Sequence, residues 1–228
     1  MMKRNYFIWI LLFLFLIFQP TQFVTAAVIS LDGSFGDWAG QPCVSDPQGD
    51  AGSASDLLNF CFVSDQASQQ LFFMAERLSG GNSPMRFSVR LDMNDDGDYS
   101  DWGDRSIYVV YNPSNKKTKV DVTVYDGSGG YINTVASGAD WGASGSEGAS
   151  RVEFYASFSD LGLIPGVAAA ITMDVVTYHG NNPTDYLNTP VQWTPANALG
   201  YGLLGAIILV AAVVFSKHKK RNEAANQG

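Results

Sequence analysis

The chain has 228 residues, 46% of them hydrophobic and 16% charged, with a formal net charge of −8, two cysteines and two histidines. So acidic a chain repels phosphate backbones, which excludes a nucleic-acid-binding role. The sequence carries no zinc-ligand spacing and no Ser-His-Asp or Cys-His arrangement, so it reads as non-catalytic.

Lys3 and Arg4 precede an apolar run over 6–18, and a more polar stretch then ends in Val24-Thr25-Ala26-Ala27. This order of basic, apolar and small residues predicts a signal helix over 1–26, cleaved after Ala26, with cleavage one residue later or an uncleaved anchor as the rivals. Export would place Cys43 and Cys61 where disulfides persist. A bridge between them and two small buried hydrophobes both remain open.

Between leader and tail, eight Lys and Arg stand against 21 Asp and Glu, a balance near −13 that favours cations. Residues 27–188 suffice for one domain and are too few for two. Short apolar or alternating runs at 57–63, 71–75, 87–93, 107–111, 120–125, 152–158 and 169–177 are bounded by Gly, Asn, Asp and Ser. Their β-branched and aromatic content predicts strands, and no stretch keeps a helical period. The expected fold is all-β, a single antiparallel sandwich of immunoglobulin-like or jelly-roll-like kind. The Gly-rich segments 127–130 and 142–148 read as surface loops.

Asp46, Gly49 and Asp50, with Asp56 further on, form a first acidic stretch; turn chemistry or a metal role would each explain it. A denser one follows. Asp92, Asn94, Asp96 and Asp98 alternate around Gly97, with Asp101 and Asp104 beyond, so six carboxylates fall within thirteen residues. Oxygen donors at alternate positions and a glycine at the sixth match the first half of an EF-hand-like calcium loop. Gly103 stands where the bidentate Glu would be, and the loop follows a strand, so calcium would draw its remaining oxygens from Asp98, Asp101 and Asp104. A solvated turn is the rival reading.

Tyr99, Trp102, Trp141 and Trp193 fall in expected loops or the linker, where flat rings could stack on sugars. His179 reads as a loop residue rather than a base. After a linker at 189–197, the run 198–216 is just long enough to span a bilayer. Lys217, Lys219, Lys220 and Arg221 follow it, so the positive-inside rule places the tail 217–228 in the cytoplasm and the domain outside, as a single-pass type I anchor.

Asp32-Gly33 followed by Asp37-Trp38 resembles the opening of bacterial domains related to family 9 carbohydrate-binding modules and DOMON-type sandwiches. The strand and acidic loop over 87–98 and the late turn Asp160-Leu161-Gly162-Leu163 resemble further parts of those domains, in the same order. The resemblance implies a sandwich and a glycan ligand at the bacterial cell surface, and transfers no binding residue; a structural or adhesive surface protein without sugar binding is the alternative, and a glycan-acting enzyme the one after it. The tail resembles surface-protein sorting signals, including the Firmicu-CTERM type handled by exosortase-like transpeptidases. It lacks an LPxTG motif, so simple retention is the expectation, with sortase- or exosortase-like processing as the alternative.

Overall fold

A computed structural model describes residues 29–114, 118–164 and 171–193. The expected signal peptide, membrane span and basic tail lie outside the described residues, within which no helix is long and apolar enough to cross a membrane. The strands are β1 Cys43–Ser45, β2 Leu57–Asp65, β3 Gln70–Arg77, β4 Met85–Asp92, β5 Arg105–Asn112, β6 Lys119–Asp126, β7 Tyr131–Ala139, β8 Arg151–Ser157, β9 Ile171–His179, β10 Asn182–Tyr186 and β11 Val191–Trp193. All pairings are antiparallel, in a four-stranded sheet β1-β2-β3-β8 and a larger sheet β10-β9-β4-β5-β6-β7. Strand β11 pairs with β9 over Ile171 to Met173, beside β10 on the same edge.

Alternation builds the core between the sheets. Phe87, Val89 and Leu91 of β4, Ile107, Val109 and Tyr111 of β5, Val120, Val122 and Val124 of β6, and Met173 and Val175 of β9 are all buried. The smaller sheet meets them with Phe60, Phe73 and Phe154, whose rings run Phe60–Phe73 at 5.8 Å and Phe73–Phe154 at 5.1 Å. Phe87 of the larger sheet then meets Phe154 edge-on at 5.5 Å. Each such ring contributes about 1.5–3 kcal/mol through burial.

The smaller sheet is buried on its other face too. Ile29 and Trp38, the latter in a short 3-10 turn Phe35–Trp38, pack there against Cys61, Phe72 and Met74. This double burial is why β3 reads as the unbroken apolar run Leu71 to Ala75 rather than as an alternation.

Seven of these strands lie where the apolar runs predict them, and four do not. β7 is an edge strand whose Ile132, Val135, Ala136 and Ala139 border the core, but the register shifts against β6 break their alternation, so no two-residue period is there to find. β1, β10 and β11 are three to five residues long. β11 also corrects the boundary of the linker: residues 191–193 complete the edge of a sheet. The Gly-rich segment 127–130 is the β6–β7 turn, where the Asp126 carboxylate accepts the Gly130 N–H at 2.7 Å.

Candidate metal centre

The loop after β1 is anchored from every side. Cys43 and Cys61 stand opposite each other and are joined by a disulfide, Cα–Cα 4.0 Å, which fixes β1 on β2. The Asp46 N–H continues that pairing to the Leu58 carbonyl at 2.8 Å. Further along, Ser53 O accepts the Ser79 N–H and Ser55 O accepts the Thr177 hydroxyl, at 3.1 and 2.8 Å. Arg77, fully buried, donates from Nη1 to Ala54 O at 3.0 Å and from Nε to Ala149 O at 2.9 Å.

This anchoring carries Asp46 and Asp50 to the start of β2 and the end of β10. Asp185 arrives from β10, past a register shift between Pro183 and Asp185. Carboxylate oxygens of Asp46, Asp50 and Asp185 lie within 4.8 Å of one another, the one such trio among the described residues. Asp46, Asp56 and Asp185 are 7%, 0% and 5% exposed, while Asp50 is open to solvent.

Backbone donors satisfy part of the cluster. Asp46 Oδ1 accepts the Asn188 N–H at 2.8 Å, Asp56 Oδ2 the Gly49 N–H at 2.9 Å, and Asp185 the Leu57 and Tyr186 N–H groups at 2.7 and 2.8 Å. Asp46 Oδ2 and Asp56 Oδ1 are sealed from solvent with no hydrogen-bond partner. The ion pairs among the described residues are Arg90–Asp174 and Arg151–Glu76, so no described Lys or Arg is paired with this group. Burial pushes the Asp46 and Asp185 carboxyls above their ordinary range, and Asp50 pushes both the same way. Buried carboxylates without a counter-cation are costly. A divalent cation would supply the missing positive charge and a partner for the orphaned oxygens. An all-oxygen donor set suits calcium, magnesium or manganese rather than zinc.

The 92–104 loop is arranged differently. Asp92 accepts the Gly97 N–H at 2.8 Å and the Asp96 N–H at 3.3 Å, and Asp104 accepts the Met93 and Asp101 N–H groups at 2.9 and 3.0 Å. Both aspartates are buried, so their oxygens order the loop backbone. Asn94 donates to Asp96 at 2.8 Å and to Asp101 at 3.4 Å, which draws these three together on the exposed side. Asp98 instead caps Ser100, whose hydroxyl and N–H hold its carboxyl below the ordinary range. Close packing fixes the far end: a side chain at Gly127 would meet Asp101 O at 2.2 Å.

The four aromatic candidates separate. Trp102 is 79% exposed. Tyr99 is half-buried beneath the Arg90 guanidinium, 4.9 Å from the ring centre. Trp141 packs on Tyr155 at 5.7 Å and borders the core. Trp193, expected in an open linker, is instead buried edge-on to Phe158 at 6.2 Å, because β11 draws it into the sheet. His179 lies at the exposed end of β9. Asp185 had no signal in the sequence: neither its spacing nor its neighbours tie it to Asp46. No family model, curated protein or solved structure matches the chain.

Proposed function

We propose that the chain is a non-catalytic, calcium-stabilised and carbohydrate-binding-like module at the bacterial cell surface, held by one C-terminal span. The observation that carries the metal part is the cluster Asp46, Asp50 and Asp185, with buried unpartnered oxygens on Asp46 and the adjacent Asp56. Asn94, Asp96 and Asp101 enter the proposal as a second, more exposed calcium-binding group. The surface placement rests on the leader-like start, the apolar run 198–216 and the basic residues after it. Two facing antiparallel sheets suit an immunoglobulin-like or jelly-roll-like sandwich of the kind the opening Asp-Gly and Asp-Trp pairs suggest.

Calcium titration of the melting temperature tests the metal. Extracellular calcium sites have Kd of order 10⁻⁴ to 10⁻³ M, so the series must reach millimolar ion, with magnesium as the control for screening. A calcium-specific rise that is lost in Asp46→Asn and Asp185→Asn is expected; equal shifts with magnesium defeat the reading. For the topology, protease added to intact cells stripped of any wall should digest the domain and spare a tag placed after Gly228. A protected domain would refute it.

A further inference from the structure

The outer face of the larger sheet carries a constellation outside the metal centre. Phe87, Val89 and Leu91 point into the core, so Arg86, Ser88 and Arg90 point outward. Opposite Ser88 stand Val176 of β9 and Tyr108 of β5, and opposite Val176 stands Tyr186 of β10. One row across the face is therefore Tyr186, Val176, Ser88, Tyr108. Ser88 and Val176 are 5% and 1% exposed although no sheet covers this side, which makes them a sunken floor between taller neighbours. In the adjacent row Arg86 is opposite Tyr178, and the Tyr178 and Tyr108 rings lie 6.4 Å apart at 59°.

Arg86 is unusual in this acidic domain. Arg77 is buried, Arg90 is paired with Asp174 and Arg151 with Glu76, and Arg105 donates to the carbonyls of Trp102, Gly103 and Asp104. Arg86 and Lys119 are exposed, form no ion pair among the described residues, and share this one face. Asp174 on this face is paired with Arg90, whereas Asp121, which accepts the Gly138 N–H at 2.7 Å, and Asp95, which accepts the Thr172 hydroxyl at 2.6 Å, keep their charges. The face is therefore near balance on a domain whose balance is strongly negative, and Arg86 stands on it as an exposed guanidinium with no carboxylate paired to it among the described residues.

We infer that this face binds an acidic glycan, with a uronic-acid pyranose ring lying against Tyr108 and Tyr178 and its carboxylate paired with Arg86. Tyrosine rings offer flat apolar surfaces at small entropic cost. A free guanidinium matches a carboxylate in two-point geometry, which a neutral sugar cannot use. The inference rests on the surface-module reading above and names the ligand class that reading leaves open.

The test uses the full-length chain in detergent micelles and trimers of four uronic acids, galacturonate, glucuronate, mannuronate and guluronate, each beside its neutral methyl ester. At least one acidic trimer should bind more tightly than its ester, and added salt should weaken it. Arg86→Ala should weaken that binding by about tenfold or more and Tyr178→Ala comparably, with Arg86→Lys intermediate. Arg86 is exposed, so its substitution should leave the melting temperature and its calcium response unchanged; Tyr178 is half-buried against Tyr108, so Tyr178→Ala should lower the melting temperature and keep the calcium response. That separates failure of this site from failure of the metal reading. If no acidic trimer outbinds its ester, or if Arg86→Ala binds as the parent does, the inference is overturned. Retention of the chain by a protein partner through this face, with no trimer bound, would also overturn it.

Discussion

The indole N–H of Trp38 donates to Oε2 of Glu153 at 3.0 Å, joining residues 115 positions apart inside the outer layer of the smaller sheet. The other carboxylate oxygen accepts the Asp32 and Gly33 N–H groups at 2.8 and 2.7 Å, and Gly33 turns there with φ +78°. The opening Asp-Gly and Asp-Trp pairs therefore form a clamp around one buried side chain of β8. Trp38→Phe keeps the ring and strands Oε2 without a donor. Hydrogen bonds to charged groups contribute about 1.5–3 kcal/mol, so a loss of that size is expected in urea denaturation at alkaline pH, where Glu153 is ionised. An unchanged midpoint would mean that the indole bond adds nothing net.

Glu153 also gives the fold a pH dependence of definite sign. Burial pushes its carboxyl up to about 7 from the usual 4.5, against the three N–H donors that favour the charged form. The folded state thus prefers the proton. The contribution is complete below pH 4.5, is lost as pH rises to about 7, and stays flat above. Asp46 and Asp185 shift in the same direction, so the measurement belongs in saturating calcium. Glu153→Gln, neutral at every pH, should flatten the slope between these limits; an equal slope in the variant would assign it to other groups.

The disulfide closes a loop over a sequence separation of 18, for which chain entropy predicts about 3 kcal/mol. Reduction, or Cys43→Ser with Cys61→Ser, should lower stability by that order. Because β1 leads directly into Asp46, calcium affinity should fall as well. Calorimetric titration with and without reductant reads both effects, and unaltered affinity would show that β1 holds its place without the bond.

The two acidic groups should respond unequally to substitution. Asp92 and Asp104 already spend their oxygens on backbone N–H groups, whereas Asp46 and Asp56 keep buried oxygens without partners. Asp46→Asn should therefore remove most of the calcium-dependent rise in melting temperature, and Asp96→Asn only a minor part. Asp95→Ala should leave calcium binding intact and lose the bond from the Thr172 hydroxyl at 2.6 Å. The reverse ranking of Asp46→Asn and Asp96→Asn would place the tighter site in the 92–104 loop.

What the sequence determined by itself was local. Alternation in β5 and β6 and the continuous apolar runs of β2 and β3 depend only on which faces a strand buries, and they specify an all-β chain with seven of its strands. The acidic loop 92–104 was legible because its donors are contiguous. Tertiary structure decided the rest. The half-buried apolar residues of β7 lose their alternation at its register shifts with β6, and β11 is too short to carry a pattern, so only pairing with β9 shows that Trp193 is buried. Asp185 reaches Asp46 because β10 and the loop after β1 end at the same place. The row Tyr186, Val176, Ser88, Tyr108 comes from four strands whose register is set by the core on their inner side. A site assembled across strands depends on long-range register, and register is settled when the sheets pack, not by the spacing of residues along the chain.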